Sequence, residues 1–305
     1  MESNQTHQPQ QVKSSSIIVI IILVAIVSII PEILFREMTG AIPGWLHYAR
    51  LGVLGLTAVA LQWAAPFKPL TKFVLLLMAN TLGLIIINLV AGMPGWRDLF
   101  PQNNFLGSIG GSIILKVFQV IPVVIALLIL FKRPTEAYLA KGDLTVKAEP
   151  IKWLGIHKDW VSWGRLAVIS GLLIALGTTL LTIITVTGAG VQPDFSRLPA
   201  LLPVILVMAL FNSLCEGIVY RSVMLASLDN ILPKNALMLV AAALFGIAHF
   251  YGAPGGIIGV GMSTLLGWYM CRSMYETRGF ASSWMIHFMQ DVVIFATLLV
   301  LGNFG

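Results

Sequence analysis

The stretch PALLPVILVMALFNSLCEGIVYRSVMLA (199–226) decides the fold. It is long enough to cross a bilayer core, which takes about 20 apolar residues of helix. Glu216 and Arg221 interrupt it, and an ionisable group at the bilayer centre costs about 2.5–3.5 kcal/mol on the insertion scale. An apolar helix that keeps such groups has a use for them inside the membrane.

Working outward, further apolar stretches lie near 17–35, 46–65, 71–92, 107–131, 164–187, 235–253, 256–275 and 279–301. They predict an all-α, polytopic transmembrane bundle of about 8–9 spans. The whole chain agrees: 57% of its residues are hydrophobic and 10% charged, against roughly 25% charged in a soluble domain. Two cysteines are too few for a disulfide framework. The net charge of +6 sits on scattered loop residues with no basic stripe, so no nucleic-acid partner is expected.

Four regions follow. Residues 1–16 read as a polar, disordered tail rich in Gln and Ser, and 17–131 as four transmembrane helices. The first is a retained span, since no small-residue cleavage site precedes Pro31. Residues 132–163 form a hydrophilic insert with room for a small hairpin or surface helix, and 164–305 a transmembrane core. The insert holds Lys132, Arg133, Lys141, Lys147, Lys152 and Lys158, which marks it as cytoplasmic. Four preceding spans then put the N-terminus in the cytoplasm. Gly255, Gly259, Ser263 and Gly267 give the 256–275 helix a small-residue face for close packing.

The polar residues inside the spans are unevenly spread. Glu216, Arg221, His249, His287 and Asp291 all fall in the last 90 or so residues. At 1.5 Å per residue from the cytoplasmic helix ends, Glu216 lies about 15 Å deep, His287 about 13 Å, Asp291 about 19 Å and His249 about 21 Å. Arg221 lies nearer the cytoplasm, within reach of water. His287 and Asp291 are one turn apart, as are Phe245 and His249, so Phe245 can pack beside the imidazole. Glu216 with His249 suits the activation of a water, and His287 the stabilisation of an oxyanion or the protonation of a leaving amine. Asp291 as a carboxylate cannot donate a hydrogen bond, so it orients His287 or binds a metal. Glu216, His249, His287 and Asp291 also make a zinc set on residue type. Lys116 in the fourth span and Glu32 near the end of the first have no role by pattern; Lys116 either snorkels or lines the cavity.

CEGIVYR (215–221), FGIAH (245–249) and HFMQD (287–291) together resemble the three motifs of the CPBP intramembrane proteases. That family comprises CAAX-type prenyl-protein endopeptidases and bacteriocin-processing or self-immunity enzymes. The resemblance implies that Glu216 is the catalytic glutamate, sharing water activation with His249. It implies that His287 and Asp291 stabilise the oxyanion and that Arg221 is the motif arginine. The substrate would be a membrane-associated peptide or protein, prenylated in CAAX-type members, and the location a bacterial plasma membrane. One position departs from the pattern: the second glutamate of the pair is Gly217, so Arg221 loses its ion-pair partner. Glu216, five residues off and about 140° around an ideal helix, is a poor substitute. Rival expectations are a catalytically impaired immunity or scaffold protein, a proton-coupled transporter, and polar residues that only bind helices together.

Overall fold

The computed structural model describes residues 14–188, 192–252 and 255–302. Among them the chain is helical, with two isolated β-bridges and no strand. The helices are α1 (Ser14–Val27), α2 (Ile30–Thr39), α3 (Leu46–Trp63), α4 (Thr71–Ala91), α5 (Trp96–Leu99) and α6 (Gly111–Leu130). They continue with α7 (Trp163–Gly188), α8 (Leu198–Gly217), α9 (Val223–Leu228), α10 (Lys234–Ile247), α11 (Gly256–Thr277) and α12 (Ala281–Leu301). The expected polar tail, residues 1–16, lies outside the described residues except for its last three, which open α1.

This is a helical, polytopic membrane bundle. Helix stands at each of the nine expected spans, but among the described residues five helices are long and apolar enough to cross a membrane, or up to six with the bent pair α1 and α2. That is fewer than the 8–9 expected, for local reasons. Helix α10 stops at Ile247, ahead of the turn that carries His249. His47, Arg50 and Gln62 dilute the apolar character of α3, and Arg272 and Glu276 that of α11. The 49° bend between α1 and α2 falls at Ser28 and Ile29, just ahead of Pro31, which has no N–H to donate and crowds the preceding turn.

The site is framed by α8, which packs on both α6 and α12, with α10 against α11 closing one side. Small residues make the α10–α11 approach possible. A Cβ on Gly246 would meet Thr264 Oγ1 at 1.9 Å, and one on Gly267 the Phe245 ring at 2.8 Å. The face containing Gly267 therefore seats Phe245 against the site.

The insert is a short bridged loop, with Lys147 paired to Ser162 and Ile151 to Ile156. It is clamped to the α11–α12 turn: Phe280 N–H donates to Ala140 O at 2.7 Å and Asp143 N–H to Thr277 O at 2.9 Å. Tyr138 adds a polar tie, donating to Asp229 Oδ2 at 3.0 Å, and Arg278 binds the same carboxylate. This clamp fixes Phe280, which bears on the site. Glu32 also finds its reason: it pairs with Arg50, a buried arginine that also donates to Ser28 O at 2.7 Å.

Candidate active site

Helix α8 does not run on regularly into α9. Residues Ile218–Ser222 form a π turn, whose hydrogen bonds close from i to i+5. Five residues then make close to one turn, so the 140° separation expected between Glu216 and Arg221 does not apply. Both side chains reach His287. Arg221 is 1% exposed and does not reach the water that its sequence position would let it approach.

Arg221 Nη2 donates to His287 Nδ1 at 3.0 Å. A guanidinium has no lone pair to offer, so Nδ1 is the acceptor and Nε2 carries the ring proton. That proton faces two carboxylates: Glu216 Oε2 lies 3.5 Å from Nε2 and Asp291 Oδ1 3.6 Å. The partner lost by Arg221 is thus replaced by an imidazole. The place of the missing glutamate is taken by an aromatic ring, since a Cβ on Gly217 would lie 2.5 Å from Phe280 Cζ.

His249 sits on a turn after α10 and not inside a span helix. Its Nδ1 lies 2.8 Å from Phe245 O. A carbonyl only accepts, so Nδ1 bears the proton and Nε2 keeps its lone pair. Phe245 packs on both imidazoles, with ring centroids 4.5 Å from His249 and 5.6 Å from His287.

Lys116 and Asn212 complete the cluster. Lys116 Nζ forms an ion pair with Glu216 Oε1 and donates to Asn212 Oδ1 at 2.6 Å. Asn212 in turn donates from Nδ2 to Asp291 Oδ2 at 3.1 Å. Lys116 was visible in the sequence as an unexplained charge, and it lines the cavity. Asn212 had one available signal, its place four residues before Glu216 on the same helix face.

A cavity of about 300 Å³ opens onto Lys116, Glu216, His249 and Tyr251. The structure brings Glu216, His287, Asp291 and Arg221 together in direct contact, and sets His249 across the same cavity from Glu216. No direct hydrogen bond joins Glu216 to His249 among the described residues. His287 and Asp291 lie behind Glu216, with side chains 4% and 5% exposed.

For a metal, the chemistry of the donor set is unfavourable. An ammonium sits on Glu216 and a guanidinium on His287, and either would repel a bound cation. Among the described residues no group of three or more His, Cys, Asp or Glu is arranged to hold a metal ion.

Residues 198–293 match the family model described as type II CAAX prenyl endopeptidase Rce1-like. That segment is similar to the CAAX-protease family. All three CPBP-like motifs, from Cys215 to Asp291, fall within it. The match supports a CAAX-type membrane endopeptidase. No curated protein and no solved structure gave a match to the chain.

Proposed function

We propose that this protein hydrolyses a peptide bond in or near the membrane, with Glu216 and His249 activating the attacking water. The observation that carries the reading is that a carboxylate and an imidazole with a free Nε2 lone pair face one cavity within an apolar bundle. Glu216 Oε2 is buried and has no hydrogen-bond partner among the described residues. A water in the cavity beside the Glu216 carboxylate and His249 Nε2 would have an acceptor on either side, and the general base takes its proton as oxygen attacks the carbonyl carbon. The tetrahedral intermediate then collapses, the C–N bond breaks, and the proton passes to the leaving amine.

His287 works from behind. Its Nε2–H steadies Glu216 and Asp291, and Arg221 fixes its tautomer. The oxyanion role that the resemblance implies for His287 and Asp291 would be exerted from that side. The ammonium on Glu216 and the guanidinium on His287 favour a metal-free mechanism. The substrate is a membrane-associated peptide or protein, a prenylated C-terminus being the class that the family match suggests.

A second reading has one observation in its favour. Lys116 on the Glu216 carboxylate weakens it as a base, as expected of an impaired family member acting as an immunity or scaffold protein. One experiment separates the two: purified protein is incubated with a mixed library of membrane-associated peptides, prenylated and not, and the products are read by mass spectrometry. Products made by the wild type and absent with Glu216→Ala support the hydrolase. Identical spectra from the two proteins favour the scaffold.

A further inference from the structure

The hydrolytic reading leaves a gap on the cavity side. A carbonyl entering the cavity meets Lys116, Glu216 and His249, besides a thiol from Cys215 and the tyrosines. Glu216 is an acceptor. His249 spends its one N–H on Phe245 O. Asp291 accepts from Asn212 and, as a carboxylate, has nothing to donate. Tyr220, Tyr251 and Gln119 also carry donors there, but they are neutral, and an oxyanion forming beside Glu216 is best met by a cation next to the base.

Lys116 presents one. Its ammonium has three N–H donors. Glu216 Oε1 takes one and Asn212 Oδ1 another; the third has no acceptor among the described residues. The side chain is 36% exposed, against 4% for His287 and 5% for Asp291. Asn212 is committed at both ends of its amide, oxygen to Lys116 and nitrogen to Asp291. It thereby holds the ammonium in register with the carboxylate below it. A preorganised cation beside the base and facing the cavity is the arrangement that stabilises charge as it develops on a carbonyl oxygen.

We infer that Lys116 is a catalytic residue, whose third N–H binds the scissile carbonyl oxygen and stabilises the oxyanion when water attacks. The inference rests on the hydrolase reading above. Lys116 keeps its proton throughout: the new bond joins the water oxygen to the carbonyl carbon, the carbonyl π pair moves to the oxygen facing Nζ, and the water proton goes to the base. Collapse returns the pair, breaks the C–N bond and delivers the proton to nitrogen.

The test must distinguish contact with the oxyanion from an effect exerted through Glu216. Full-length Lys116→Met and Lys116→Arg are purified, and kcat and KM are measured on the peptide that the wild type cleaves. Binding of a phosphinate analogue of that peptide is then measured in the wild-type and Glu216→Gln backgrounds. Lys116→Met is expected to lower kcat about 10²–10³-fold with little change in KM, and Lys116→Arg to recover part of the loss. The phosphinate should bind more weakly on Lys116→Met substitution in both backgrounds, while binding of the uncleaved peptide to Glu216→Gln stays unchanged. If Lys116→Met leaves phosphinate affinity intact when Glu216 is already Gln, Lys116 acts only through Glu216 and the inference is overturned. If Lys116→Met does not fold, the same comparison made with Lys116→Arg decides, since a displaced charge weakens the analogue only where Lys116 touches it. A wild type that cleaves nothing would instead defeat the hydrolase reading itself.

Discussion

Arg221 Nη2 lies 3.0 Å from His287 Nδ1, a guanidinium bonded to an imidazole where the family pattern would put a carboxylate. The contact is buried and fixes the tautomer, so His287 presents Nε2–H to Glu216 and Asp291. Arg221→Met removes the donor and lets the imidazole turn over. A hydrogen bond to a charged group is worth about 1.5–3 kcal/mol, which sets the expected fall in kcat/KM at about 10–100-fold. Arg221→Met with wild-type kcat/KM would mean that the His287 tautomer is held by something else.

Gly217 is where the chain departs from the family pattern it resembles, and Phe280 occupies the space a side chain there would need. A Cβ there would lie 2.5 Å from Phe280 Cζ and 3.1 Å from Arg221 Nη2. Gly217→Ala is expected to cost about 1–3 kcal/mol through overpacking, read as a lower Tm in detergent. Gly217→Glu alone should be worse, and Gly217→Glu with Phe280→Ala should recover, because the new carboxylate gains both space and the Arg221 partner. A double variant no more stable than Gly217→Glu would contradict this account.

The parts of the bundle that follow from apolar run length were legible in the sequence, as was the gathering of His287 and Asp291 beside Glu216. Their grouping followed from depth along helices of known rise. What was not legible depended on departures from regular helix. The π turn after Gly217 swings Arg221 onto His287, and the end of α10 at Ile247 leaves His249 on a turn. Neither leaves a periodic signal. Lys116 carried a signal, an ammonium in an apolar helix, but its partner Asn212 lies 96 positions away. Contacts of that range come from packing and not from spacing.

The insert clamp has a pH signature. Burial, and the Asp229 carboxylate beside it, push the Tyr138 phenol above its ordinary value of 10.0. The folded chain holds this proton where the unfolded chain releases it. The stabilisation is therefore complete below about pH 10 and is lost as pH rises further. Above that pH the Tm of the wild type should fall more steeply than that of Tyr138→Phe. Parallel slopes would show that the phenol is not held by the fold.

Chelators should leave activity unchanged. With an ammonium on Glu216 and a guanidinium on His287, the cluster is set up to stabilise negative charge. Dialysis against o-phenanthroline is expected to leave kcat unaltered. Loss of cleavage restored by added zinc would overturn the metal-free mechanism.

Water activation by Glu216 and His249 together is tested most directly by rate measurements on Glu216→Gln, His249→Ala and the double variant. Groups that act as a unit are non-additive, so each single substitution should abolish cleavage and the double should be no slower than either single. Wild-type cleavage in either single variant, or single losses that multiply in the double, would contradict the shared role.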